Sequence, residues 1–295
     1  MFNFENKKSV FKNKDHQALF NENGFIVLPF YNSLDIQKLS NFYNEHTTSN
    51  GEGFQPTTYF QSLEYRIKAS EIIRSTAFSY LENILIDYKM FMGSFIVKHN
   101  DKNSELGVHQ DMTLVDESIY TGINVWAPLC DTNEKNGTLY LIPKSHKIFS
   151  TYRNATIPNI YDQYYDEIKK YMLPTNIKAG EAIFFDNSLL HFSPVNLSNQ
   201  IRIATNVFVS HKDAKITICY LDKTQNKIEL FEQEDDFFTK YKQFNNGENL
   251  LRPKMGKSIG YRAYDFPVLT PSILDSMKIN KNKKSFLEKL KSIFE

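Results

Sequence analysis

In the first third of the chain, apolar residues recur at helical spacing, broken by one apolar run at 24–30 that predicts a buried strand. The spacing predicts a helix over 14–23 that ends at Gly24, and a longer helix over about 63–86. Between them, Ser33 is expected to cap a helix. The apolar side of that helix consists of Ile36, Leu39, Phe42 and Tyr43.

From residue 89 onward the pattern changes to short apolar runs separated by turn residues. Strands are predicted at 90–97, near 107–112, and at 121–129, 137–142, 182–185 and 202–209. Several short strands joined by turns are typical of a sandwich or barrel. Residues 147–176 have no clear period and are expected to lie over one end of the barrel, whereas residues 232–257 are a polar segment that interrupts the strands.

We therefore predict one mainly β domain over 1–295 with flanking helices. Residues 1–88 form a helical N-terminal support, and 89–215 form the β core with its insertion at 147–176. Residues 216–295 form a C-terminal extension that ends in a helix from about residue 281.

Composition excludes several classes of protein. The 35 basic and 34 acidic residues nearly balance, which argues against a chain-wide nucleic-acid surface. Cys130 and Cys219 fit neither a disulfide framework nor a zinc motif. The start lacks the apolar run of a signal peptide, and no run approaches about 18 apolar residues, so we expect a cytoplasmic protein. Residues 271–295, with six lysines and three acidic residues, are expected to dock on their own domain or a second subunit rather than a membrane.

His109 and Asp111 are the most informative polar residues. Two residues apart on a strand, they lie on the same face and can bind one metal ion. With His191 they supply the two histidines and one carboxylate that bind non-haem Fe(II). Arg202 follows His191 by 11 residues, so a neighbouring antiparallel strand can bring its guanidinium to the same cavity. A surface ion pair is the alternative for Arg202, and a lone His-x-Asp is usually coincidental.

Together these motifs resemble the phytanoyl-CoA dioxygenase family over about residues 15–210. These are Fe(II)/2-oxoglutarate-dependent oxygenases built on a double-stranded β-helix, also called a jelly roll or cupin-like fold. The residues that carry the resemblance are His109-Gln-Asp111, Trp126, Asn136-Gly137, Pro143-Lys-Ser-His146, Gly180-Glu181, His191-Phe-Ser193, Asn196 and Arg202. The chain departs from the family pattern at Thr138 and Lys144, which lie away from the expected ligands.

The resemblance implies that His109, Asp111 and His191 bind Fe(II) and that no further catalytic residue is needed. It also implies that Arg202 and Ser193 hold the distal carboxylate of 2-oxoglutarate, with O2 as the second cosubstrate. Further candidates for contact with 2-oxoglutarate are Trp126, which is equally well placed as a core residue, and Ser94 and Lys98.

The expected reaction is hydroxylation of an unactivated C–H bond, with release of succinate and CO2. Asp111 disfavours halogenation, because related halogenases have a small residue in place of the carboxylate. Desaturation, epimerisation and ring formation remain open, since they begin from the same intermediate.

The substrate is expected to be small: an amino acid, a carrier-bound acid or a natural-product intermediate. Tyr120 and Tyr152 are candidate substrate contacts, and with Tyr161, Tyr164 and Tyr165 they form an aromatic lid or pack the insertion onto the barrel. An acyl-CoA hydroxylase, a non-catalytic ligand-binding barrel and a metal-dependent cupin isomerase are the alternatives.

Overall fold

A computed structural model describes residues 7–47, 51–60, 62–148, 151–240 and 251–278. The helices are α1 (Lys14–Asn23), α2 (Ser33–His46), α3 (Leu63–Ile84), α4 (Tyr165–Lys169), α5 (Phe237–Lys240) and α6 (Pro271–Met277). The strands are β1 (Phe25–Pro29), β2 (Phe54–Pro56), β3 (Tyr88–Lys98), β4 (Leu106–His109), β5 (Ile123–Pro128), β6 (Tyr140–Leu141), β7 (Leu173–Pro174), β8 (Glu181–Asp186), β9 (His191–Ser193), β10 (Arg202–His211), β11 (Ile216–Asp222), β12 (Lys227–Gln233) and β13 (Lys257–Ala263).

Two antiparallel sheets form the β core. The larger has six strands in the order β1-β8-β5-β10-β3-β2, and the smaller has four in the order β4-β9-β6-β7. Their inner faces meet in one apolar cluster that includes Trp126 and Phe185 from the larger sheet and Leu141 from the smaller. The predicted double-stranded β-helix with flanking helices is confirmed.

The N-terminal helices cover the outer face of the larger sheet. Leu39 of α2 and Ile73 and Leu81 of α3 are fully buried against strand residues such as Val97. Gly93 allows α3 to approach β3, because a Cβ there would lie 2.9 Å from the Ser70 carbonyl oxygen. Burial on one side explains why the helical spacing was readable from the sequence.

The ends of two helices test the predicted caps. Gly24 terminates α1 in the left-handed region, with φ of 82°, and this prediction is confirmed. The Ser33 prediction is wrong by one position, since Ser33 is the first helical residue of α2. The N-cap is Asn32, whose side chain accepts a hydrogen bond from the Asp35 N–H at 2.9 Å.

A third sheet, β11-β12-β13, lies in the C-terminal extension and was not predicted. Leu221 of β11 and Leu230 of β12 pack in a separate cluster with Tyr152 and Tyr264. In β13 nearly every residue is exposed, so the alternation that reveals a strand is missing. The predicted helix from about residue 281 lies outside the described residues. Of the helices in the described ranges, none has the length and apolarity needed to cross a membrane.

Candidate metal centre

The two histidines lie opposite each other on neighbouring strands. His109 is the last residue of β4, His191 is the first of β9, and the two are paired in the register. Asp111 lies two residues beyond β4 rather than within it, which corrects the prediction of one continuous strand. The Asp111 N–H donates to the Asn187 carbonyl at 2.8 Å, and this bond holds the carboxylate beside both histidines.

His109, Asp111 and His191 place one ligand atom each within 4.8 Å of one another. Asp111 Oδ1 lies 3.6 Å from His109 Nε2, and Asp111 Oδ2 lies 3.9 Å from His191 Nε2. Backbone carbonyls fix both rings, since His109 Nδ1 lies 2.7 Å from the Gly107 oxygen and His191 Nδ1 lies 2.9 Å from the Leu189 oxygen. With the proton on Nδ1, each Nε2 offers a lone pair toward the carboxylate, as metal ligation requires.

The charges around this triad suit a cation. Burial opposes ionisation of Asp111, but the nearby histidines and Arg153 outweigh it and lower the pKa of its carboxyl. Burial, reinforced by His109, lowers the pKa of His191 to about 4, so this ring is neutral at neutral pH. Burial also opposes protonation of His109, yet the hydrogen bond and charge of Asp111 raise its pKa. The same negative potential attracts a metal ion to the space between the three side chains.

Three asparagines support Asp111 from the larger sheet and the loop before β9. Asn124 Nδ2 donates to Asp111 Oδ2 at 2.7 Å and to Asn187 Oδ1 at 2.8 Å. Asn206 Nδ2 in turn donates to Asn124 Oδ1 at 2.5 Å. Asn206 Oδ1 is buried and has no hydrogen-bond partner in the described chain. These asparagines were not predicted, because single amides in apolar strands carry no motif.

Arg202 is 1% exposed and lies inside the barrel. Its guanidinium carbon is 5.2 Å from the centre of the Trp126 ring, and one of its N–H groups donates to the Ile96 carbonyl at 3.4 Å. Nε has no hydrogen-bond partner, and no carboxylate of the described residues forms a salt bridge with Arg202. Burial lowers the pKa of Arg202 to about 10, which leaves it charged at neutral pH.

The position of Arg202 corrects one expectation. β10 does not pair with β9 in the smaller sheet, but lies between β5 and β3 in the larger one. Arg202 therefore reaches the interior from the opposite wall of the barrel. Trp126 and Phe185 belong to the cluster beneath it, and the Phe185 ring lies 4.9 Å from the ring of His191.

The remaining candidates for contact with 2-oxoglutarate are buried and hydrogen-bonded to the protein. Ser193 Oγ donates to the Gly137 carbonyl at 2.8 Å. Lys98 Nζ donates to three carbonyls, those of Ser104, Ser193 and Pro194, so its N–H groups are directed at the backbone. Ser94 Oγ donates to the Phe95 carbonyl at 3.0 Å and accepts from the Thr57 N–H at 3.1 Å.

A buried ion pair next to the triad was also missed. Arg153 donates to both carboxylate oxygens of Glu117, at 3.0 and 2.5 Å, and its Nε donates to the Asp111 carbonyl at 2.7 Å. Both side chains are less than a tenth exposed. The two residues lie 36 positions apart, in segments without periodicity, so no local pattern could have paired them.

Two cavities meet at His109, Gln110 and Met112. The smaller, about 260 Å³, is also lined by Asp111 and Asn206. The larger, about 600 Å³, extends from His109 between the insertion and the C-terminal sheet.

The tyrosines considered as substrate contacts or as an aromatic lid separate into two groups. Tyr152 and Tyr161 line the larger cavity. Tyr120 lines neither cavity and instead stacks on His211, with ring centres 5.7 Å apart. Tyr165 donates to Glu105, and Tyr164 packs in the cluster around Ile168. Some tyrosines of the insertion thus line the cavity and others pack within the protein, and their contact with a substrate stays a prediction.

The phytanoyl-CoA dioxygenase (PhyH) family model matches residues 20–204, and the chain belongs to this family. A Phytanoyl-CoA dioxygenase domain-containing protein 1 homolog from Dictyostelium discoideum is 29% identical over 156 residues, covering 49% of this chain and 52% of that protein. The chain thus spans about half the length of this curated relative.

Two solved structures share the fold. SnoK, a non-heme alpha ketoglutarate dependent carbocyclase from nogalamycin biosynthesis, is 16% identical with a TM-score of 0.51, covering 69% of this chain and 86% of that one. HygX from Streptomyces hygroscopicus, solved with nickel, 2-oxoglutarate and hygromycin B bound, is 13% identical with a TM-score of 0.50, covering 68% and 88%.

Proposed function

We propose that this protein is an Fe(II)/2-oxoglutarate-dependent dioxygenase that hydroxylates a C–H bond of a small organic molecule. Three potential metal ligands converge on one point, and a buried arginine that has no carboxylate partner among the described residues lies across the same barrel. A metal triad alone also suits a cupin isomerase, and a buried arginine alone also suits a simple anion-binding barrel. Their combination carries the proposal, because a dicarboxylate cosubstrate needs a metal at one end and a cation at the other.

His109, Asp111 and His191 would hold the iron, leaving the remaining coordination positions to 2-oxoglutarate and O2. Bound iron supplies the oxidising chemistry, in which 2-oxoglutarate is converted to succinate and CO2 as the substrate is hydroxylated. Asn124 orients the carboxylate of Asp111. Arg202 would pair with the distal carboxylate of 2-oxoglutarate on the face of Trp126, where water is excluded.

Ser193 and Lys98 have different roles in this proposal. The Ser193 hydroxyl donates to Gly137 and retains lone pairs, so a contact with 2-oxoglutarate would require its proton to reorient. Lys98 acts through the backbone, because its Nζ donates to the carbonyls of Ser193 and Pro194. We assign Lys98 to positioning the strand that carries His191 and Ser193.

Anaerobic titration with Fe(II) and then 2-oxoglutarate tests the proposal. We expect a weak visible charge-transfer band in the wild type and none in Asp111→Ala. Trp126 is the only tryptophan in the chain, so its fluorescence reports separately on 2-oxoglutarate at Arg202. A wild type without the band would rule out the oxygenase.

A turnover assay in air, made alongside the titration, addresses the non-catalytic alternative. A ligand-binding barrel that retains metal would give the band but release no succinate in air with any of a panel of amino acids, carrier-bound acids and acyl-CoAs. Succinate release that persists in Asp111→Ala would remove that residue from the ligand set.

A further inference from the structure

Part of the wall of the larger cavity comes from a region of the chain that the family match does not include. The match ends at residue 204, whereas Lys223, Tyr264 and Phe266 line this cavity. The insertion supplies the facing wall, from Thr151 to Asp162. His109 also lines the cavity, which places the candidate metal centre at one end of it.

The wall formed by the insertion is organised by its own hydrogen bonds. Asn159 Oδ1 accepts from the Tyr161 N–H at 3.1 Å, and Asn159 Nδ2 donates to Asp162 at 2.7 Å. Thr156 Oγ1 accepts from the Leu221 N–H of β11 at 3.0 Å, which joins the insertion to the C-terminal sheet. A volume of about 600 Å³ is within the range of sites for small organic ligands.

Charge at this cavity is balanced. Arg153 and Lys223 are the lysine and arginine side chains that line it within the described residues. Arg153 is neutralised by Glu117, and Lys223 is exposed in the turn after β11. A ligand with several phosphates, such as an acyl-CoA, would find no buried cation free to pair with it.

Three aromatic rings that line this cavity contact one another. Tyr264 contacts Tyr152 on the insertion, with ring centres 5.7 Å apart, and Phe266 on its own segment, at 4.9 Å. All three rings line the cavity. Such a row favours a flat or cyclic group that presents ring faces or C–H bonds to it.

We propose that the larger cavity is the substrate chamber and that its substrate is an uncharged, ring-containing molecule. The ring portion lies on Tyr152, Tyr264 and Phe266, and the bond to be oxidised lies toward His109. This inference rests on the proposed function for its chemistry. The chamber itself is defined by the insertion and the C-terminal sheet.

Proton relaxation of small probes tests the chamber. The protein is loaded with 2-oxoglutarate and either paramagnetic Mn(II) or diamagnetic Zn(II). The probes are 4-nitrophenyl β-D-glucoside, indole and coumarin as uncharged ring compounds, and coenzyme A as the polyanion. We expect faster relaxation of the ring protons of at least one uncharged probe in the Mn(II) protein, and no comparable effect on coenzyme A.

Variants locate the bound probe. Tyr264→Ala and Phe266→Ala should each weaken its binding about fivefold, as the loss of one aromatic contact predicts. Phe266 is 36% exposed, so its replacement should leave folding unaffected. Tyr261→Ala is the matched control, since Tyr261 lies in β13 just before these two residues, is 37% exposed and does not line the cavity.

The outcomes separate this inference from the proposed function. If 2-oxoglutarate alters Trp126 fluorescence but no uncharged probe relaxes faster with Mn(II), the chamber assignment is wrong while the oxygenase stands. Stronger relaxation of coenzyme A, or equal weakening by Tyr261→Ala, would also overturn the assignment. If 2-oxoglutarate fails to bind, the proposed function fails, whereas metal-dependent relaxation of a probe would still support the chamber.

Discussion

Arg153 and Arg202 are both buried, but their surroundings differ. Arg153, on the insertion, forms a bidentate pair with Glu117 and also donates to the backbone of Asp111. Arg202, inside the barrel, lies over the Trp126 ring and donates one long hydrogen bond to the Ile96 carbonyl. A buried charge is retained at a cost in stability unless it is paired, so the partner of Arg202 is expected to be a ligand. Arg153 by contrast is structural.

The same substitution should have opposite effects on folding at the two positions. Arg153→Met leaves the Glu117 carboxylate buried without its partner, and we expect a loss of about 3–5 kcal/mol in the free energy of unfolding. Urea denaturation measures this loss in the free energy of unfolding. Replacing both residues, as Arg153→Met with Glu117→Leu, should restore much of the loss. A single variant as stable as the wild type would show that the pair is not structural.

Arg202→Met should leave the protein without 2-oxoglutarate as stable as the wild type or more so, because it removes an unpaired buried cation. Binding of 2-oxoglutarate should weaken about 30-fold or more, since removing one partner of a buried charge pair costs about 2–5 kcal/mol. Trp126 fluorescence and the unfolding midpoint are the two measurements. Arg202→Lys keeps the charge but not the planar guanidinium that binds a carboxylate through two N–H groups, and should recover part of the affinity for 2-oxoglutarate. Unchanged affinity in Arg202→Met would place the cosubstrate elsewhere.

The contrast also shows what a sequence can reveal about such a site. His109, Asp111, His191 and Arg202 were candidates because ordered motifs mark them, and the structure brings them into one barrel. Arg153 and Glu117 are as close to the centre, yet nothing near them in the sequence marks a buried pair. Long-range pairs without a motif become visible only when the fold is known.

Fold prediction shows the same division. The helices over the larger sheet bury one side, so the helical spacing of their apolar residues predicts them. The strands of the β core are bounded by turn residues, which mark them in the sequence. β13 is exposed along most of its length and contains a glycine with φ of 99°, so neither alternation nor β propensity marks it. β13 is therefore specified by its pairing with β12 rather than by a local pattern.

A smaller effect is expected at Asn124, which lies within the barrel and orients the candidate metal ligand Asp111. Asn124→Ala removes the amide that orients Asp111 Oδ2, and we expect metal affinity to fall about 10- to 100-fold. Competition with a chelator measures the affinity, and the charge-transfer band should shift as the carboxylate reorients. Asn206→Ala is the control, because Asn206 contacts Asn124 and not Asp111, so its effect should be smaller. Equal losses in both variants would indicate a general effect of disturbing the sheet.

The smallest effect is expected in the C-terminal sheet, where Glu229 is 2% exposed but has its partners within the protein. Arg252 donates to both of its carboxylate oxygens, at 2.8 and 2.7 Å, and this hydrogen bonding lowers the pKa of Glu229 below its ordinary value. A lowered folded-state pKa contributes stability above the unfolded pKa, and that contribution is lost as pH falls through the folded value. Arg252 is 55% exposed, so solvent screening limits the contribution to about 1 kcal/mol.

Glu229→Gln should therefore be less stable than the wild type near neutral pH, and the difference should shrink as the pH is lowered below the ordinary carboxyl pKa. Urea denaturation at several pH values measures this difference in stability. Because Glu229 lies outside the barrel, 2-oxoglutarate should bind the variant with wild-type affinity. A difference that stays constant with pH would mean that the contribution of Glu229 to stability does not depend on the charge of its carboxylate. Reduced binding of 2-oxoglutarate would instead mean that the C-terminal sheet influences the barrel, and the distinction between a ligand-binding interior and a structural outer sheet would have to be abandoned.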